Sequence, residues 1–269
     1  MKFFSTLLLF ISMTTQAVEL NWQGLDNLST TQKTTFQHWV NAALDTNQSV
    51  LGNLNLKELN ITVKGLHFAT EPVPWAFVKR QPIESIELQV YRYASLERLK
   101  KDWTLYHEIV HLYHPRLETE NFWLSEGLAT YLQNIIMLKA NILTNQEYQK
   151  RLNDGFQRGE KSMLKHKGAL NKVSDGMWST KAYQRVYWSG AAFFLEADLA
   201  LRVKTNLTLV DVIQKYQTCC RRKFDSGAHF IEQLDSLSQS AVFSTLFVKY
   251  KNRTDFPRIS LEQIRQTSL

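Results

Sequence analysis

The spacing of apolar and polar residues divides the chain into an early part with both strand and helix periodicity and a later part with helix periodicity alone. Between residues 30 and 51, apolar side chains recur every three or four positions, which predicts an amphipathic helix. Apolar and polar positions roughly alternate over 59–68 and again over 86–93, which predicts two strands. The stretch 70–84 between them contains three prolines and is predicted to be a loop with at most a short extended piece.

From Ser95 onward the periodicity is helical throughout. Ser95 is a suitable N-cap for the first of these helices, and Pro115 ends it. An apolar stripe follows one face of that helix, formed by Leu99, Trp103, Tyr106, Val110 and Tyr113. Further helices are predicted at about 123–140, 145–158, 182–203, 208–217, 227–237 and 240–251. The sequence therefore predicts an α+β fold, in which a small β-containing N-terminal part, residues 18–94, precedes a mostly α-helical part, residues 95–269.

The first 17 residues have a different character. Lys2 precedes an apolar run from Phe3 to Met13, and Thr15-Gln16-Ala17 matches a small-x-Ala cleavage site. A helix that spans a bilayer needs about 20 apolar residues, so the segment predicts a signal peptide, with an uncleaved membrane anchor as the alternative. No later segment is long and apolar enough to span a membrane. We therefore expect an exported chain, periplasmic or secreted, without stable membrane insertion after cleavage.

Composition and charge narrow the classes of partner. The 269 residues suffice for one large domain or two small ones, and 44% apolar with 21% charged residues is typical of a globular protein. The net charge of +7 is dispersed, and Arg221-Arg222-Lys223 is the only tight basic cluster, without interleaved aromatic residues. This pattern argues against a nucleic-acid partner. The sequence does not indicate the oligomeric state.

The two cysteines, Cys219 and Cys220, are adjacent. A single adjacent pair excludes a disulfide scaffold. A strained small ring, two free thiols and pairing with another chain remain as alternatives. Neither cysteine is placed to serve the metal motif described next.

Candidate chemistry is concentrated in the run His107-Glu108-Ile109-Val110-His111. Residues four apart on a helix share a face, so the imidazoles of His107 and His111 can chelate one cation. Glu108 points partly toward the same place, where it can reach a water on the metal. In a hydrolytic zinc site, two histidines bind the ion and a neighbouring glutamate acts as the base, which is the arrangement that this run offers. The run therefore predicts one zinc ion per chain, against the alternative of a helix with two incidental histidines.

A catalytic zinc takes three protein ligands and keeps one open position. His114 shares the helix face but lies at the helix end, and one helix rarely wraps three ligands around a tetrahedral ion. Glu118 and Glu120 fall in a polar loop and are predicted to be solvated. Glu126 begins the next predicted helix and can face the two histidines if the helices run antiparallel. The alternative for Glu126 is an acidic residue that a helix N-terminus favours.

The motif His107-Glu-x-x-His111, followed by Trp123-Leu-Ser-Glu126-Gly-Leu-Ala-Thr-Tyr131, resembles the gluzincin metallopeptidases, especially their aminopeptidase N-like and glycyl-aminopeptidase-like branches. The resemblance extends over about residues 100–256. It implies a thermolysin-like catalytic domain in which Glu126 is the third zinc ligand.

A second segment, Tyr187-Trp-Ser-Gly190, resembles the Tyr-x-x-Gly segment of the same families. This likeness implies that Tyr187 stabilises the oxyanion of the tetrahedral intermediate, with a simply packed aromatic side chain as the alternative. One departure concerns the Gly-x-Met-Glu-Asn segment, whose glutamate grips the free amine of aminopeptidase substrates. The corresponding stretch near Ile86 to Tyr93 has no such motif, and Glu84 or Glu87 could take the place of that glutamate.

These features together predict a zinc metallopeptidase that hydrolyses peptide or protein substrates, with Glu108 as general base. Two alternatives remain at this level. One is a secreted zinc-binding module without turnover, and the other is a zinc amidase that acts on a non-protein substrate such as a cell-wall crosslink. The sequence does not separate aminopeptidase from endopeptidase activity.

Overall fold

A computed structural model of the chain describes residues 18–268, so the predicted signal peptide over residues 1–17 lies outside the described residues. The N-terminal part is a four-stranded sheet with one long helix. Its elements are β1 (Glu19–Gln23), α1 (Thr30–Leu51), β2 (Glu58–Leu66), β3 (Trp75–Lys79) and β4 (Ser85–Tyr91). The strand order is β1-β2-β4-β3. The first three strands of that order are parallel, and β3 runs antiparallel to β4 at the edge.

The remainder of the described chain is helical. It consists of α2 (Leu96–Lys101), α3 (Thr104–His111), a 3-10 turn (Thr119–Asn121), α4 (Phe122–Lys139), α5 (Asn145–Met163), α6 (Leu170–Asp175), α7 (Met177–Thr180), α8 (Tyr183–Thr205), α9 (Leu209–Cys219), α10 (Gly227–Ser238), α11 (Val242–Lys251) and α12 (Leu261–Thr267). The predicted α+β class is thereby confirmed. Among these described helices, none combines the length and apolar character that a membrane crossing needs.

Helix α1 forms where the periodicity predicts it, and local chemistry explains its beginning. The hydroxyl of Ser29 accepts from the backbone N–H of Gln32, whose side chain in turn accepts from the N–H of Ser29. This reciprocal capping satisfies backbone donors that a helix start leaves free. The apolar face, including Phe36, Trp39 and Val40, is fully buried. Helix α1 packs on α3 and α9, so the sheet-containing part shares one core with the helical part.

The prediction of one continuous helix from Ser95 to Pro115 is wrong, because the helix is interrupted at Asp102 and forms α2 and α3 instead. The carboxylate of Asp102 accepts from the backbone N–H of Thr104 at 2.8 Å, and its own backbone is extended. This local hydrogen bond competes with helix continuation, as aspartate side chains commonly do. As a result Trp103 leaves the predicted apolar stripe and is 42% exposed. The separate helix α3 therefore begins at Thr104, three residues before His107.

Helices α4 and α8 touch backbone to backbone. A Cβ atom added at Gly127 would lie 2.3 Å from the Cα of Gly190, and one added at Gly190 would lie 1.8 Å from the carbonyl oxygen of Trp123. Real Cβ atoms do not approach that closely, so only glycine permits this crossing. The crossing lies one residue after Glu126 and three after Tyr187, which fixes the two residues relative to each other.

Candidate metal centre

Three side chains from two helices converge on one point. His107 and His111 come from α3, and Glu126 comes from the first turns of α4. The Oε2 atom of Glu126 lies 3.2 Å from Nε2 of His107 and 3.5 Å from Nε2 of His111. One donor atom from each residue lies within 4.8 Å of the other two. Two imidazole nitrogens and one carboxylate oxygen form the donor set of a catalytic zinc site, so these residues fit the predicted ion.

A hydrogen bond to Gln133 orients the imidazole of His107 so that its Nε2 atom faces Glu126 in the cluster. The Nδ1 atom of His107 lies 2.7 Å from Oε1 of Gln133 on α4. Because that amide oxygen can only accept, Nδ1 carries the proton and Nε2 keeps its lone pair for a metal. Sequence reasoning missed Gln133. It lies seven residues after Glu126 on α4, a spacing that puts both on one helix face.

His114 orients the imidazole of His111 in the same way, through a hydrogen bond to its Nδ1 atom. Its Nδ1 atom is 2.8 Å from the carbonyl oxygen of Pro115, and its Nε2 atom is 3.0 Å from Nδ1 of His111. Since Nδ1 of His114 donates to that carbonyl, Nε2 of His114 accepts a hydrogen bond from the Nδ1–H of His111, which leaves Nε2 of His111 free for a metal. Burial lowers the pKa of His114 well below its ordinary value, so its ring stays neutral. His114 therefore positions a candidate ligand and stands outside the converging set.

Glu108 and Tyr187 face the same cavity as the cluster. Burial raises the pKa of the Glu108 carboxyl, and the two neighbouring imidazoles oppose that rise. Burial, with Glu126 and Glu108 nearby, raises the pKa of Tyr187 well above its ordinary value, so the phenol keeps its proton. The Tyr187 ring stacks on the imidazole of His107, with centroids 5.8 Å apart. The arrangement thus offers a carboxylate base and a phenolic donor on one side of the ligand cluster.

Side chains from other parts of the chain hold the backbone carbonyl groups of residues 111–114, at and just after the end of α3. A helix end leaves such carbonyls without partners of its own. Positive groups near a helix C-terminus also suit the negative end of the helix dipole. The pairs are Arg80 with the carbonyls of His111 and His114, Arg221 with that of Leu112, and Gln217 with that of Tyr113.

Glu84 joins the two arginines of this group. One carboxylate oxygen accepts from Arg80 at 2.7 Å and the other accepts from Arg221. The side chains of all three residues are less than a tenth exposed. We call this set the Arg80–Glu84–Arg221 triad. It anchors the end of the helix that carries both histidines.

Both carboxylates proposed from sequence as amine anchors are paired with basic side chains, and neither lines the cavity. Glu84 is 1% exposed and lies inside the triad. Glu87 lies on β4 and pairs with Lys79 on β3. Glu118 and Glu120, the two loop acids expected to be solvated, are both exposed, and the Glu118 carboxylate also accepts from the backbone N–H of Gly227 at 2.9 Å. Glu118 therefore caps the start of α10.

Beside the cluster lies an open cavity of about 280 Å³. The edge strand β3 contributes one side through Phe77 and its neighbours. Arg116, Phe122 and Trp178 also line it, together with two of the three converging residues, His111 and Glu126. The open cavity therefore reaches His111 and Glu126 of the converging set.

Cys219 and Cys220 are joined by a disulfide, so the small ring is the alternative that the structure adopts. It lies at the end of α9, directly before Arg221 of the triad. Neither cysteine belongs to the metal cluster.

Comparisons with known proteins confirm the resemblance drawn from the motifs. A family model described as M61 glycyl aminopeptidase matches residues 107–193, which include every predicted site residue. A comparison with curated protein sequences finds no match. The family match and the fold likeness given next support a zinc metallopeptidase.

Several solved structures share the fold. Native yeast LTA4 hydrolase has a TM-score of 0.58 at 16% identity, over 85% of this chain and 36% of that one. An M1 zinc metallopeptidase mutant from Deinococcus radiodurans, bound to a Tyr-Ser-Ala substrate, has a TM-score of 0.56 at 14% identity, over 92% and 52%. A two-domain M1 zinc metallopeptidase mutant bound to L-arginine has a TM-score of 0.53 at 14% identity, over 87% and 48%. The chain thus spans about half the length of these M1 structures.

Proposed function

We propose that this chain is a zinc-dependent peptidase, in which His107, His111 and Glu126 hold one zinc ion and Glu108 is the general base. The observation that carries the proposal is the convergence of two imidazole Nε2 atoms and one carboxylate oxygen within 4.8 Å of one another. The cavity that reaches this point also contains Glu108 and Tyr187. A peptide-bond substrate agrees with the family match and with the peptide bound by one structural neighbour.

When bound, zinc supplies Lewis-acid polarisation of the scissile carbonyl and makes water more acidic. Glu108 takes a proton from the attacking water and later delivers it to the leaving amine. Tyr187 donates its phenolic hydrogen to the carbonyl oxygen as negative charge develops there. A single donor of this kind contributes about 3 kcal/mol to transition-state stabilisation. Gln133 and His114 keep the two imidazoles in the tautomer that the ion needs.

The test is digestion of a mixed peptide library, read by mass spectrometry. Wild type, wild type with a zinc chelator, and Glu108→Gln are compared side by side. Glu120→Gln is the matched control, since it makes the same chemical change at an exposed position. We expect cleavage by wild type and by the control only. Turnover retained by Glu108→Gln would contradict the assigned base.

Tyr187→Phe separates an oxyanion donor from a packed aromatic side chain. Loss of the hydroxyl is expected to lower kcat by about 10²–10³ with little change in KM, because the donor acts mainly in the transition state. An unchanged kcat would assign Tyr187 to packing. If the protein holds stoichiometric zinc and cleaves no peptide, a zinc-binding module or an amidase for a non-protein substrate replaces the proposal.

We also propose that the chain is exported by cleavage after Ala17. The proposal rests on the charged, apolar and small-residue pattern of the first 17 residues. N-terminal sequencing of protein from fractionated cells tests it. Val18 as the first residue of protein outside the cytoplasm is the expected result, and Met1 on a cytoplasmic protein would overturn it.

A further inference from the structure

The cavity offers no spare negative group to a substrate. Among the described residues that line it, the carboxylates are Glu108 and Glu126, and the proposed function uses both. The nearby Glu84 and Glu87 are already paired with basic side chains. A protonated substrate amine would therefore meet no dedicated acidic partner within the described part of the chain.

Positive charge, in contrast, is available. Arg80 and Arg116 both line the cavity. Arg80 is 6% exposed, and its guanidinium is engaged by Glu84 and two backbone carbonyls. Arg116 is exposed, and in the described residues its guanidinium takes part in no ion pair or side-chain hydrogen bond. It lies over the ring of Phe122, 6.0 Å from the centroid.

The backbone of Arg116 is fixed although its side chain is free. Its N–H donates to the carbonyl oxygen of Lys223 at 2.9 Å, and its own carbonyl accepts from the N–H of Asp225 at 3.2 Å. These two bonds form an isolated parallel bridge to the segment around Phe224. A guanidinium held at a cavity wall by a fixed backbone and an aromatic face is a suitable partner for a carboxylate, which it can bind in a bidentate manner.

The charge balance of the site favours the same ligand. The two charges of a bound zinc ion cancel those of Glu108 and Glu126. Arg116 then leaves the cavity wall with a net positive charge. Such a wall attracts anionic groups and repels a protonated amine.

We propose that Arg116 binds a carboxylate of the peptide substrate, so that the site selects peptides by a negative charge and does not depend on a free α-amine. The carboxylate is supplied either by the C-terminus of the peptide or by an acidic side chain. This inference rests on the proposed function, because it assumes that a peptide occupies the cavity.

Binding to zinc-loaded Glu108→Gln protein tests the proposal without any requirement for turnover. Isothermal titration compares three peptides of one length: one with a free C-terminus and Gln side chains, its C-terminal amide, and the amide with Glu in place of one Gln. At least one carboxylate-bearing peptide is expected to bind about tenfold more tightly than the neutral amide. Which one does so identifies the source of the carboxylate. Acetylation of the N-terminus is expected to leave the affinity unchanged.

The variant Arg116→Gln in the same background is expected to remove that tenfold preference and to leave the affinity for the neutral amide unaltered. Arg116→Lys, which keeps the charge, should retain part of the preference. Arg258→Gln is the matched control, since Arg258 is exposed and outside the cavity lining. Equal affinity for all three peptides, a preference that survives Arg116→Gln, or no peptide binding would each overturn the inference. Cleavage failure in wild type with carboxylate-dependent binding intact would instead count against the proposed function alone.

Discussion

Glu84 is the negative member of the Arg80–Glu84–Arg221 triad, and its replacement by Gln tests how the zinc-binding helix is anchored. The substitution preserves side-chain volume but removes the only negative charge within the triad. Arg80, Glu84 and Arg221 have side chains 5%, 1% and 8% exposed, so water cannot take over the role of the carboxylate. Removing one partner of a buried ion pair costs about 3–5 kcal/mol, because it leaves an uncompensated charge in the interior.

The expected loss is large in relation to the whole molecule. A folded domain is stable by about 5–15 kcal/mol, so Glu84→Gln should remove roughly a fifth or more of the free energy of unfolding. The effect should also reach the metal centre. Arg80 holds the carbonyl groups of His111 and His114, and a loosened Arg80 lets the end of α3 fray. We therefore expect weaker zinc binding in addition to lower stability.

The chain contains a matched control for this experiment. Glu87 is also a glutamate paired with a basic residue near the same strand, but its side chain is 29% exposed and that of Lys79 is 49% exposed. Exposed pairs contribute about 0–1 kcal/mol, so Glu87→Gln should leave stability almost unchanged. Equilibrium urea denaturation in the presence of a chelator measures both variants, and chelator competition measures zinc affinity. Similar small losses for the two variants would refute the reasoning, since burial would then not determine the cost.

Three further predictions concern the metal centre and the helices that build it. Gln133→Leu should weaken zinc binding by about 10- to 100-fold, because His107 loses the partner that orients its ring. Chelator competition measures this affinity, and an unchanged value would mean that packing alone holds the ring. Gly190→Ala should lower the free energy of unfolding in urea by about 1–3 kcal/mol or more, because the added methyl group overpacks the crossing. Gly176→Ala is the control and should be tolerated, since a Cβ there would meet nothing nearer than 3.8 Å. Equal effects of the two substitutions would contradict the close crossing. Zinc at a thousandfold excess over its dissociation constant should stabilise the fold by about 4 kcal/mol in thermal melts, and His111→Ala should abolish most of that shift; a full shift in the variant would exclude His111 as a ligand.

The parts of the site that a local pattern specifies were predictable from the sequence. The spacing of His107 and His111 fixes their common face as soon as the segment is helical, and the structure places both as expected. The bounds of helix α1 were predicted because its apolar side chains recur at helical spacing, whereas its N-cap, Ser29, was not predicted. Glu126 needed a further assumption about helix packing, which its motif resemblance supplied.

What the sequence did not predict depends on partners that are distant along the chain. Strand β1 carries no clear alternation and is defined by its pairing with β2, in which Leu20 lies beside Leu59. Arg221 reaches Glu84 from 137 positions away, so no local pattern could pair them. The break at Asp102 is local, yet a competing side-chain hydrogen bond overrides the helical spacing there. Tertiary geometry decided the first two cases, and a local side-chain hydrogen bond decided the third.

The crossing at Gly127 and Gly190 has a consequence for how the molecule moves. Two helices whose backbones touch cannot slide or pivot there without a steric clash, so α4 and α8 behave as one rigid body. Glu126 and Tyr187 lie on that body and keep their separation when other parts of the protein move. Any widening of the cavity must therefore come from lining elements outside α4 and α8, such as the edge strand β3.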